Sequence, residues 1–149
     1  MTSPPTVVTR RRTVLAGLAV LVVATGLLVH RFVGGQLGDI AGDALYAVLI
    51  YLIAAFALPR SPGMRPALIA LVFCTGVELL QLTGLPQVWA AAFPPSALVL
   101  GSGFDPRDLV VYALAVIVAA AADALLAKTS RSTPVGHATG RPPEGERPV

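Results

Sequence analysis

The sequence predicts an all-α integral membrane protein, a four-helix bundle with an apolar re-entrant or interfacial loop between its third and fourth helices. Three observations carry that prediction. Of the 149 residues, 55% are hydrophobic and only 13% charged, where soluble domains carry about 25% charged residues. Too few polar side chains remain to cover a globule of this size, so lipid is the better solvent. Four windows of about 20 apolar residues lie along the chain, each long enough to cross a hydrocarbon core of about 30 Å as a helix. The basic residues, finally, alternate from one connection to the next. Strands in lipid would need a closed barrel and alternating apolar and polar residues, and that alternation is absent here.

The elements follow in order. Residues 1–12 form a basic, cytoplasmic N-terminal segment ending in Arg10, Arg11 and Arg12. The first span, residues 13–33, reads TVLAGLAVLVVATGLLVHRFV and is uncharged until His30 and Arg31. Its long apolar stretch, with no clean A-x-A site and three more spans behind it, predicts an uncleaved helix rather than a signal peptide. The second, residues 38–58, is polar only at its start. The third, residues 66–84, reads PALIALVFCTGVELLQLTG, with Cys74, Glu78 and Gln81 inside it. The fourth, residues 108–128, is alanine-rich and ends at Lys128. Between the third and fourth, LPQVWAAAFPPSALVLGSGFDPRD is apolar but broken by Pro86, Pro94 and Pro95. It is too short between breaks to cross, which predicts Trp89 and Phe93 at headgroup level. Residues 129–149, poor in apolar side chains and rich in Pro and Gly, cannot offset their chain entropy by burial and read as a disordered cytoplasmic tail. His137 lies alone in that tail, and no ligand role is assigned to it.

Nine basic residues lie before the first span, between the second and third, or after the fourth, against two, Arg31 and Arg107, on the other side. The positive-inside rule then puts both termini in the cytoplasm. The same rule accounts for the arginine clusters without nucleic acid, which would want a folded basic surface with stacking aromatics. A single cysteine has no intrachain disulfide partner, and no zinc-ligand spacing is present. No metal or other cofactor is expected, and membrane lipid is the expected surrounding partner.

With this orientation the polar residues converge toward the outer leaflet. Glu78 and Gln81 lie in the outer third of the third span, Asp39 and Asp43 at the outer start of the second, and Asp105, Arg107 and Asp108 beside the outer start of the fourth. Asp123, near the cytoplasmic end of the fourth, is the exception. Asp105, followed by Pro106, has the pattern of a helix cap, and Asp39 reads the same way. Tyr46 and Tyr112 suit interfacial anchors. Glu78 belongs to no helix end, and an uncompensated carboxylate there costs at least about 2.5 kcal/mol. It therefore either hydrogen-bonds as the neutral acid or pairs, as the anion, with Arg31 or Arg107. Helical spacing places Cys74, Thr75, Glu78 and Gln81 on one stripe, and Asp108, Tyr112, Ala115 and Ala119 on another. Turning both inward gives a polar cluster of Asp43, Glu78, Gln81, Asp108 and Tyr112, which either binds something or holds the bundle together.

The segments GDIAGDALYAVLIY, VELLQL and LVLGSGFDPRDLVVY resemble a bacterial inner-membrane family known only as a domain of unknown function, DUF2809. The resemblance runs over roughly Arg31 to Ala127 and implies motif positions at Gly38, Asp43, Glu78, Gln81, Gly101, Gly103, Phe104, Asp108 and Tyr112. The E-x-x-Q pair is also distantly similar to VanZ-like proteins of glycopeptide resistance. The loop before LVLGSG lacks the basic residue the family resemblance would imply, and VVYALAVIVA lacks the Asn and Gly of a VanZ-like final helix. Neither resemblance implies an activity.

Three functions compete. A binder of a ligand, lipid or partner in the cell envelope needs only the polar cluster. An enzyme on a lipid-linked envelope substrate would use Glu78 as general acid or base with Asp43 or Asp108, but no nucleophile–base pair, metal-ligand cluster or P-loop accompanies them. A proton-coupled transporter would want inverted repeats or broken midplane helices, and so would depend on self-association, with which the Gly and Ala faces are compatible. The sequence favours the binder and points to no catalytic residue.

Overall fold

The computed structural model describes residues 5–101 and 103–129. Over these the chain is helical: α1 (Pro5–Phe32), α2 (Gly35–Ala57), α3 (Met64–Gln81), α4 (Leu85–Ala92), a 3-10 turn at Pro94–Ser96, α5 (Ala97–Leu100) and α6 (Pro106–Thr129). No strand occurs among the described residues. Four helices are long and apolar enough to cross a membrane: Val7–Phe32, Gly35–Ala57, Met64–Gln81 and Pro106–Lys128. The protein is an all-α membrane bundle. The tail expected to be disordered lies, apart from Thr129, outside the described residues.

α2 is the central helix, packed on α1, α3 and α6, and α3 closes against α6. Small side chains make that approach possible: Ala47 and Ala55 of α2, and Ala67, Ala70 and Cys74 of α3, are buried together with Tyr51, Tyr112 and Val116. Without a hydrophobic drive between helices in lipid, close backbone packing of this kind is what holds such bundles. The large aliphatics point outward instead, with Val72 73% and Val20 69% exposed. A soluble protein would bury them; acyl chains cover them here.

Helix boundaries move where glycine and proline act. α1 begins eight residues before the expected start, because the basic segment continues the helix and Arg11 finds partners across the bundle. α2 starts at Gly35, with Gly34 as the preceding cap residue. Gly35 has φ +69°, and at Gly38 a Cβ would collide with the Val33 carbonyl. The turn is therefore made by the glycines, and Asp39, expected to cap α2, lies inside it and exposed. α3 ends at Gln81, short of the expected Gly84, because Gly84 is left-handed (φ 73°) and opens α4, with Pro86 in its first turn. α4, the 3-10 turn and α5 fold back over one end of the bundle, α4 touching both α3 and α5. Trp89 and Phe93 are exposed on this segment.

Candidate polar site at the end of the bundle

Glu78 is fully buried, 0% exposed, on the inward face of α3. Tyr112 Oη of α6 donates to its Oε1 at 3.0 Å. The Asp105 backbone N–H points at its Oε2, a long contact of 3.4 Å. One carboxylate thus joins α3 to the start of α6. Of the expected α3 stripe, Cys74, Glu78 and Gln81 are buried, and Thr75 faces outward, with Val77 inside instead.

Neither arginine considered as an ion-pair partner reaches Glu78. Arg107 is taken by Asp105, two residues away, to which Nε donates at 2.8 Å and Nη2 also donates. Arg31 lies over the ring of Phe32, 5.8 Å from its centroid. The reason is proximity: a guanidinium two residues from a carboxylate finds it before one across a helix interface. Asp105 also accepts the Arg107 backbone N–H at 2.9 Å, which caps the start of α6 in the expected way. Those hydrogen bonds hold the Asp105 carboxyl down at about 2.

Gln81, 6% exposed, donates from Nε2 to the Leu100 carbonyl at 2.7 Å. Its Oε1 is buried and has no hydrogen-bond partner among the described residues. The contact is made possible by Gly101, whose φ is +69° and where a Cβ would run into Gln81 Nε2. Tyr46 Oη donates to the Val99 carbonyl at 2.8 Å, and its ring lies 6.4 Å from that of Tyr112, tilted by 54°. One phenol and one amide therefore pin the α5 segment to the bundle. Next to them the Asp43 and Asp108 side chains come close to each other across the α2–α6 interface. The structure brings Asp43, Glu78, Gln81, Asp108 and Tyr112 to one end of the bundle.

The opposite end holds a second cluster. Arg11 Nη2 donates to Asp123 Oδ2 at 2.7 Å and Oδ1 at 3.0 Å, and its Nη1 donates to the Pro59 carbonyl. Tyr51 Oη reaches the same Asp123 Oδ2 at 2.7 Å, and the Gly63 N–H approaches it at 3.3 Å. Arg12 stacks over Phe56, 5.4 Å from the ring centroid. Charge counting treated Arg11 as a topological residue and passed over Tyr51. The available signal was Asp123 itself, an aspartate inside an apolar helix that has to find a partner.

Among the described residues no group of three His, Cys, Asp or Glu could hold a metal ion. Cys74 is buried as a free thiol.

The family model described as "Protein of unknown function (DUF2809)" matches residues 32–116. The chain belongs to the DUF2809 family. The matched stretch contains the whole Glu78 cluster and stops before Asp123. No curated protein and no solved structure matches the chain.

Proposed function

We propose that this DUF2809 protein is a small multi-pass protein of the bacterial inner membrane that binds a ligand, lipid or partner of the cell envelope at the Glu78 cluster. Both termini lie in the cytoplasm on this reading, so the cluster faces the outer leaflet; the support is the nine-to-two distribution of basic residues. The observation that carries the binding role is Gln81 Oε1, buried and without a donor among the described residues. A buried acceptor left unpaired costs about 1–3 kcal/mol, so a group bringing an N–H or O–H to this point gains what the protein itself leaves open. The α4–α5 segment covers the site, with Trp89 and Phe93 on its outer surface at headgroup level.

The test uses full-length protein in detergent, screened by thermal shift against lipid-linked envelope precursors. Wild type is expected to be stabilised by a compound with hydrogen-bond donors, and Glu78→Gln and Gln81→Leu to lose that shift while remaining folded. Loss of folded protein in both variants, with no compound shifting the wild type, would identify the cluster as structural.

A further inference from the structure

An open groove of about 540 Å³ runs along the interface of α2 and α6, lined by Ile40, Ala44, Val48, Val111, Ala119 and Ala122 among others, all aliphatic. From Val111 to Ala122 it follows α6 for about 16 Å at helical rise, close to half of a hydrocarbon core of about 30 Å. Its length is that of one leaflet. Asp108 lies three residues before Val111 on the same face of α6, and Asp43 is the neighbour of Ala44 on α2. The aliphatic channel therefore begins where the Asp43 and Asp108 side chains meet.

The charge at this mouth is mainly negative: Asp39, Asp43, Asp105 and Asp108 stand against Arg107. Among the described residues neither Asp43 nor Asp108 forms an ion pair, and the nearby Arg107 is engaged by Asp105. Asp39 adds a third carboxylate on the same end of α2. A leaflet-long aliphatic channel that starts at unpaired acids complements a molecule with one acyl chain to lay along it and a positive donor at its head. An anionic head would meet repulsion.

We propose that the groove holds one acyl chain of a phospholipid whose headgroup carries a primary ammonium, with that ammonium seated against Asp43 and Asp108. The proposal deepens the reading above by naming a ligand class, and rests on it in taking this end of the bundle as ligand-facing. It uses different residues from the Glu78–Gln81 test.

Full-length protein in detergent, exchanged into mixed micelles with equal phosphatidylethanolamine and phosphatidylglycerol of the same acyl chains, can be examined by native mass spectrometry. The amine lipid should be retained over the anionic one by about tenfold, the size of one hydrogen bond to a charged group. Ala119→Leu should fill the groove and reduce retention of both lipids. Asp43→Asn with Asp108→Asn should remove the preference and leave residual acyl binding. Val72→Leu, on an exposed face of α3 outside the groove, should change nothing. Equal retention of the two lipids overturns the proposal, as does unchanged retention in Ala119→Leu. So does efficient crosslinking of Ala119→Cys between copies with no lipid retained, which would make the groove a protein contact. If selectivity is absent while Glu78→Gln and Gln81→Leu still abolish the thermal shift, the lipid assignment alone falls; the converse result removes the Glu78 reading and keeps the lipid.

Discussion

The two ends of this bundle solve the same problem, acidic side chains on apolar helices, in opposite ways. At one end Asp123 accepts hydrogen bonds from a guanidinium, a phenol and a backbone N–H, and Arg11 also reaches a carbonyl. α1, α2, α6 and the link between α2 and α3 are tied together there with charges matched. At the other end Asp39, Asp43, Glu78, Asp105 and Asp108 gather, and Arg107, the arginine among them, serves Asp105. Glu78 is satisfied by a phenol and a long backbone contact, and Gln81 is left with an oxygen unpaired among the described residues. A saturated cluster acts as a clasp, whereas an unsaturated one has capacity left for something else. The family match separates the two as well, since residues 32–116 include the second cluster and neither Arg11 nor Asp123.

The contrast breaks first, if it breaks, at Asp123. Asp123→Ala should strand Arg11, whose side chain is 20% exposed, and cost about 2–3 kcal/mol, below the figure for a fully buried pair because some water reaches it. Unfolding in detergent micelles measures this, and the double variant Arg11→Met with Asp123→Leu should recover most of the loss. A cost no larger than that of disturbing the Glu78 end would remove the distinction between clasp and site.

Gly101→Ala comes next. Its backbone, at φ +69° and ψ −176°, is a region that essentially only glycine occupies, at a cost of about 1–3 kcal/mol for other residues. Loss of stability, with the Gln81 contact broken, is expected there. Gly17→Ala in α1, where a Cβ meets nothing, should be neutral or stabilising by up to about 1 kcal/mol. Equal effects at the two glycines would mean that α5 is not held as described.

Tyr112→Phe should cost about 1–2 kcal/mol through the hydrogen bond lost to Glu78, and Glu78→Gln about 1 kcal/mol, since the amide oxygen still accepts from Tyr112. Thermal unfolding of both variants sharpens the comparison, because a larger loss from Glu78→Gln would show that the second carboxylate oxygen matters more than its 3.4 Å contact suggests.

The smallest effect is in pH. Asp105 is held at about 2, below its ordinary 3.8, by Arg107. A group with a lowered folded value contributes stability that is fully present above its unfolded value and is lost as pH falls through the folded one. Wild type should therefore lose this contribution between about pH 4 and pH 2, and Asp105→Asn should flatten the difference in that window.

The positions of the four spans and the inward burial of Glu78 and Gln81 could be read from the chain, because transfer to lipid and helical period depend on residues close together in sequence. Asp105 as a cap was legible for the same reason. Asp39 was not, since two glycines four or five residues earlier had already started the helix. Partner choice was the larger gap. Arg11 and Asp123 are 112 residues apart, and Tyr112 lies 34 residues from Glu78. Which of several donors meets which carboxylate depends on helix rotation and offset, which local pattern does not encode. The sequence by itself determined that the chain is helical, lies in lipid and carries acids that need company. Only the tertiary packing decided that Asp123 receives an arginine and Glu78 a tyrosine, because small residues on α2 and α3 set how closely the helices approach, and that distance selects the donors within reach.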